Sequence, residues 1–134
     1  MKIVYSDRKT GMTAQAEVPK DKEALLIGNS IGDTVDGSII GLNAYKLMIT
    51  GLSDKSGTPS LMSMEASRKA YALMYSKNAG KKKGKRARRL VRGRTIAADT
   101  EQINTVIVEY GEKPASEIFK PKQDKSEQKE EKGA

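Results

Sequence analysis

Alternating apolar residues at positions 45–50 place the strongest limit on how this chain folds. Tyr45, Leu47 and Ile49 occupy every second position of that segment, which puts their side chains on one face of a β-strand. Residues 103–110 form a second segment, in which Val, Ile and Val follow one another directly. Such a run is typical of a strand that is buried on both faces or central in a sheet. The chain is therefore predicted to be mainly β.

Shorter segments extend the β pattern and add helices. Residues 1–6 and 12–18 predict the arms of a β-hairpin, because turn-forming residues separate them. Residues 20–26 and 115–119 predict short helices, each preceded by a proline. At 31–42, β-branched residues mix with Gly and Asp, which indicates short strands joined by tight turns. Many short strands with frequent turns favour a small barrel or a sandwich.

Residues 61–77 support two interpretations. Their Met, Ala, Glu and Lys content favours a helix by intrinsic propensity. Tyr71, Leu73 and Tyr75, however, alternate with Ala and Met, as they would in a strand. The residues alone leave both interpretations open.

The 134 residues of the chain predict one domain at 1–119 and a tail at 120–134. Only 37% of the residues are hydrophobic, which is little for a self-sufficient core, because small domains bury a smaller share of their surface. The tail is dominated by Lys, Glu, Gln, Asp and Ser and has no large apolar residue. We therefore expect it to be flexible and disordered.

The chain has no cysteine and no histidine, which excludes disulfides and thiolate–imidazole metal sites. The usual general base near neutral pH is also missing. Asp33, Asp36 and Asp54 remain as carboxylates that an enzyme could use, and Asp33 and Asp36 could also be metal ligands. Asp beside Gly more often forms a turn, and no paired motif joins the three. We expect no catalytic activity, no cofactor and no small-molecule substrate.

The sequence shows no signal for a membrane or for secretion. No run of about 18 apolar residues occurs. The segment at 1–7 lacks both an apolar core and a small-residue cleavage site. We expect the chain to stay in the cytoplasm, without a membrane partner.

The positive charge is concentrated in one segment. The formal net charge is +8, and residues 81–94 contain nine Lys and Arg and no acidic residue. Such a cluster repels itself and needs a polyanion, which nucleic acid phosphates supply. A solvated loop, a targeting signal or an anionic membrane surface are the alternatives. The lack of bulky apolar residues before Leu90 disfavours the membrane.

We expect residues 81–94 to form a basic extended loop that only RNA orders. Its lysines would neutralise phosphates, and its arginines would fix orientation by paired hydrogen bonds. Gly84 and Gly93 would let the backbone approach RNA closely. Lys55, in a separate loop with glycines on either side, is a weaker candidate. The predicted RNA contacts are Lys81, Lys82, Lys83, Lys85, Arg86, Arg88, Arg89, Arg92, Arg94 and Lys55.

Several short motifs occur in a fixed order between position 1 and about position 111. They are Gly32-Asp33-Thr34-Val35-Asp36-Gly37, the strand ending in Thr50-Gly51, Ser53-Asp54-Lys55, Val91-Arg92-Gly93, Ile96, Asp99, Asn104, Val106-Ile107-Val108 and Gly111. In order and spacing this set resembles the archaeal and eukaryotic (e-type) family of small-subunit ribosomal protein number six. The archaeal branch is the more similar in length.

The resemblance implies a small β-barrel with one or two short helices, packed on the ribosomal RNA of the small subunit. Its partners would be that RNA and neighbouring ribosomal proteins, with no catalysis and no cofactor. In the segment left open above, it favours a strand near 70–75. At 70–72 this chain has Ala-Tyr-Ala, where the family carries Arg-Val-Arg. A free-standing nucleic-acid-binding protein, such as an RNA chaperone or a chromatin-associated protein, is the alternative that the charge alone supports.

Overall fold

The computed structural model describes residues 1–75 and 84–119, and most of its regular structure is β. None of the helices in these two stretches has the length and hydropathy needed to cross a membrane. The elements are β1 (Lys2–Ser6), β2 (Thr13–Glu17), α1 (Lys20–Leu26), β3 (Thr34–Asp36), a 3₁₀ turn (Gly37–Ile40), β4 (Lys46–Asp54), β5 (Lys69–Tyr75), β6 (Arg86–Arg92), β7 (Thr100–Glu109) and α2 (Ala115–Ile118).

Five strands form one sheet in the order β2-β1-β7-β4-β3. The pairing of β1 with β7 is parallel, and the other three pairings are antiparallel. β7 therefore lies at the centre of the sheet, as its apolar composition predicted. The β1–β2 hairpin and helix α1 also lie where the sequence predicted them.

The described strands do not close into a barrel, so that prediction is wrong. β2 and β3 are the two edges of the five-stranded sheet, and β5 pairs only with β6 in a separate two-stranded sheet. Closure would need edge strands long enough to pair with each other at a matching stagger. β3 has only three residues and runs directly into the 3₁₀ turn, so it offers no such edge.

The core lies on one face of the five-stranded sheet. Leu47 and Ile49 are buried with Tyr45, which confirms the alternation read from the sequence. In β7, by contrast, Ile107 is buried and Val108 is 50% exposed, so of the two explanations for its apolar run the central position holds and burial on both faces does not. Helix α1 and the loops close this face, and the full cluster is Ile3, Tyr5, Val18, Leu26, Ile31, Val35, Ile39, Tyr45, Leu47, Ile49, Leu52, Ile96, Ile103, Ile107 and Phe119.

β5 and β6 form an antiparallel hairpin that contacts the rest of the protein mainly at one end. The strand predicted near 70–75 is confirmed, and the helix interpretation of that segment is wrong. Residues 86–92, predicted as part of an extended basic loop, are a strand instead. The physical reason is that β5 pairs with β6 along its whole length and so satisfies the backbone groups of β6 that face it. The predicted tail at 120–134 lies outside the described residues.

Candidate nucleic-acid interface

Hydrogen bonds to the body of the protein anchor the base of the β5–β6 hairpin. The Arg92 backbone N–H donates to the Pro59 carbonyl at 2.9 Å, and its carbonyl accepts from the Leu61 N–H at 2.9 Å. The Gly93 N–H donates to the Arg68 carbonyl at 3.1 Å. The end of β6 is therefore held between two segments of the protein, and Val91 beside it is almost completely buried.

Gly93 is at this position because the backbone of residue 66 passes directly against it. A Cβ atom added at Gly93 would lie 1.7 Å from the carbonyl oxygen of Ala66. The glycine was predicted to allow close approach of RNA, but its close neighbour is the protein itself. Gly84, the other glycine in that prediction, is exposed and has a positive φ of 79°.

Arg92 lies inside the protein and pairs with two carboxylates. Its guanidinium contacts Asp54 at 3.4 Å and forms a close ion pair with Asp99. It also donates to the Ser67 carbonyl at 2.5 Å. The Arg92 side chain is only 7% exposed, and its Nη1 and Nη2 groups bond within the protein, so it does not belong to the exposed surface of the hairpin.

The same cluster depresses the pKa values of its acids. Burial raises the pKa of Asp54, but this effect is outweighed by hydrogen bonds from the Thr58 N–H and the Lys69 ammonium group and by the charge of Lys69, and the pKa falls to about 2. The hydrogen bond from Arg92 lowers the pKa of Asp99. Asp54 was a candidate catalytic carboxylate, and in the structure it holds the hairpin base as an ionised partner of two cations.

Beyond its base, the hairpin exposes cations on both faces. Lys85, Arg86, Arg88 and Arg89 are all exposed. Side chains alternate between the faces of a strand, so Arg86 and Arg88 lie on one face and Arg89 on the other. No acidic residue occurs in the sequence between Glu65 and Asp99. Within residues 1–75 and 84–119 none of these four cations forms an ion pair, so the described hairpin is a ribbon with exposed positive charge on both sides.

Two tyrosines share the face of Arg86 and Arg88, and the sequence patterns did not mark them as site residues. The Arg88 guanidinium lies 4.3 Å from the centre of the Tyr71 ring, and that of Arg86 lies 4.9 Å from the Tyr75 ring. Arg86 also donates a hydrogen bond to the Tyr75 hydroxyl at 2.7 Å. The alternation of tyrosines in β5 was the available signal, and it predicted only a strand.

The remaining predicted contacts occupy different positions. Arg94 is half-buried and pairs with Glu65 at 3.3 Å. Lys55 is exposed on a tight turn, and Ser56 of that turn accepts a hydrogen bond from Lys69 at the start of β5. Lys55 is thus brought to the base of the hairpin. The predicted contacts Lys81, Lys82 and Lys83 lie outside the described residues.

The other carboxylates considered from the sequence form turns. Asp33 accepts a hydrogen bond from the Ser30 N–H at 2.8 Å, and Asp36 accepts one from the Ser38 N–H at 3.0 Å. Within residues 1–75 and 84–119, no three acidic side chains gather in a way that suits a metal ion. The prediction that Asp33 and Asp36 form turns is confirmed.

Comparison with known proteins connects this architecture to one family. A family model described as ribosomal protein S6e matches residues 1–120. The small ribosomal subunit protein eS6 of Methanothermobacter thermautotrophicus is 45% identical over 121 residues, which cover 88% of the chain and 94% of that protein. The protein of the same name in Methanocaldococcus jannaschii is 44% identical over 120 residues, with 88% and 89% covered. In Archaeoglobus fulgidus the identity is 41% over 127 residues, with 92% and 98% covered. The match over nearly the whole length of the chain shows that it belongs to the ribosomal protein S6e family.

Proposed function

We propose that this chain is a structural protein of the cytoplasmic small ribosomal subunit, without catalytic activity, and that its β5–β6 hairpin binds ribosomal RNA. The family and the names of its relatives support the ribosomal role. The observation that carries the RNA contact is the exposed hairpin, which presents arginine on both faces and has no acidic residue in either strand.

The hairpin has a cationic surface on each of its two faces, so its shape suits a position between two segments of RNA. A-form RNA has a deep, narrow major groove that side chains do not read, so a two-stranded ribbon meets mainly phosphates and the edges of loops. Arg86 and Arg88 would contact one RNA segment, and Arg89 would contact another on the opposite face. Neighbouring cations on one face are about 7 Å apart, because the strand rises about 3.3 Å per residue.

The experiment removes the exposed charge without touching the hairpin base. Arg86, Arg88 and Arg89 are replaced together by Gln, and binding to a structured ribosomal RNA fragment is measured at several salt concentrations. A matched control replaces Arg8, Lys20 and Lys113 by Gln, which removes the same charge from exposed positions elsewhere on the protein. Each lost phosphate contact lowers the slope of log K against log salt by about 0.7 to 0.9.

We expect the hairpin variant to lose at least about tenfold in affinity and about 2 units of slope, while the control stays near the original protein. The hairpin variant should also dissociate from small ribosomal subunits that are washed in high salt. A hairpin variant that binds RNA as the control does would refute the contact. An unmodified chain that never sediments with washed subunits would instead favour the free-standing nucleic-acid-binding protein.

A further inference from the structure

One face of the β5–β6 hairpin exposes large apolar side chains among its cations. Tyr71, Leu73 and Tyr75 of β5 are 62%, 69% and 64% exposed. Leu90 of β6 pairs with Tyr71 in the ladder and is 38% exposed. Contacts to phosphate use none of this apolar surface. The face therefore offers apolar area as well as positive charge to whatever binds it.

The two tyrosine rings are held in place from the neighbouring strand. Arg88 lies over Tyr71, and Arg86 both lies over Tyr75 and donates to its hydroxyl. More than half of each tyrosine is still exposed, so the guanidinium covers part of the ring and leaves area for a second planar group. Aromatic side chains that are ordered before binding lose little conformational entropy when a ligand stacks on them.

We propose that Tyr71 and Tyr75 are two stacking platforms for unpaired bases of RNA. This inference rests on the proposed function and deepens it by naming the part of the RNA that the hairpin recognises. Aromatic side chains and guanidinium planes are the surfaces on which unstacked bases pack, and stacking tolerates any base. Bases inside a duplex stack on one another, so the platforms require a loop, a bulge or a strand end.

The spacing of the two platforms agrees with bases that are splayed apart. Tyr71 and Tyr75 are four residues apart on one strand, or about 13 Å, whereas bases that stack directly on each other are only about 3.4 Å apart. Each ring would therefore hold a separate base, with Leu73 between them. The flanking arginines would contact the phosphates of the same nucleotides.

The charge of the face favours RNA over a protein partner. A protein that covered the tyrosines would also have to provide an acidic group for each arginine beside them, because an unpaired charge is costly to bury. RNA provides a phosphate with every base, so one ligand satisfies both kinds of side chain.

The experiment compares two RNA stems that differ only in a bulge. One stem is fully paired, and the other carries two unpaired adenines, one of them replaced by the fluorescent analogue 2-aminopurine. Tyr71→Val with Tyr75→Val removes both rings and keeps residues that favour strands. Tyr71→Phe with Tyr75→Phe is the matched control, since it keeps the rings. Circular dichroism checks that each variant is folded.

We expect the Val variant to lose roughly 5- to 150-fold in affinity for the bulged stem per stacked base, with no change on the paired stem. Quenching of 2-aminopurine should disappear with the rings and remain in the Phe variant. The salt slope should stay the same, because stacking releases no counterions. The salt slope therefore distinguishes a loss of base stacking from a loss of contacts between arginine and phosphate.

Three outcomes would overturn the inference. If the original chain and the Val variant each bind the paired and the bulged stem with the same affinity, stacking is refuted. RNA binding by the hairpin would still stand. Failure of the original chain to bind either stem would refute the proposed function itself. A Val variant that binds both stems normally but no longer stays with small subunits would show that this face docks a protein.

Discussion

The guanidinium of Arg92 lies 3.4 Å from the carboxylate of Asp54, and the two side chains are 7% and 2% exposed. The pair sits where the hairpin joins the body of the protein, and Asp54 also contacts Lys69 of β5 at 3.1 Å. One carboxylate therefore binds cations from both strands of the hairpin. The buried pair fixes the base from which the exposed arginines extend.

Removing Arg92 should destabilise the protein, because it leaves a buried carboxylate with less compensation. We expect Arg92→Met to lower the free energy of unfolding by about 3 kcal/mol, as is typical when one partner of a buried pair is lost. Lys46→Met is the control, since Lys46 pairs with Glu109 at 3.1 Å on the surface and exposed pairs contribute at most about 1 kcal/mol. Urea denaturation measures the free energy of unfolding of both variants. Equal losses of stability in the two would contradict a special role for the buried pair.

The stability of the fold should fall in acid partly through Asp54. Its pKa is about 2 in the folded chain and about 3.9 when unfolded. Because the folded value is the lower one, the stabilising contribution is present above about pH 4 and is lost as the pH falls toward 2. Urea denaturation between pH 5 and pH 2 should show a weaker pH dependence for Asp54→Asn than for the original chain. Parallel curves would show that Asp54 does not cause the loss.

Gly93→Ala should be strongly destabilising, since its Cβ would lie 1.7 Å from the Ala66 carbonyl oxygen. We expect a loss of at least about 2 kcal/mol, because backbone has to move to relieve the overlap. Gly51→Ala is the matched control, because its Cβ would come no closer than 3.6 Å to Asn104 and would reduce the entropy of the unfolded chain. Thermal unfolding compares the two, and a neutral Gly93→Ala would mean that residue 66 does not pack there.

Arg89 and Arg92 belong to the same basic segment but should behave in opposite ways. Arg89→Gln should lower the salt slope of RNA binding by about 0.7 to 0.9 and change stability by less than about 0.5 kcal/mol. Arg92→Met should leave the slope unchanged under conditions in which the variant is folded. Measuring slope and stability on both variants tests this division directly. An Arg92 variant with the lower slope would place that side chain on the RNA.

Local patterns in the sequence predicted most of the strands correctly. The alternation of Tyr45, Leu47 and Ile49 is sufficient, since the side-chain period of two is a property of the strand itself. The charge of residues 81–94 likewise predicts a polyanionic partner from composition alone. Both features are local, and they depend on no contact between distant residues.

What the tertiary structure decided was which basic residues are exposed on the hairpin and which are buried at its base. Arg92 and Arg89 are equally basic and three positions apart, so composition treats them alike. Their difference arises because Asp54, 38 positions away in the sequence, and Asp99, seven positions away, both pair with Arg92. The open sheet that the described strands form and the exposure of Tyr71 and Tyr75 arise in the same way. Which strands pair and which strand faces are covered depend on contacts between strands, and the spacing of residues within one strand does not encode those contacts.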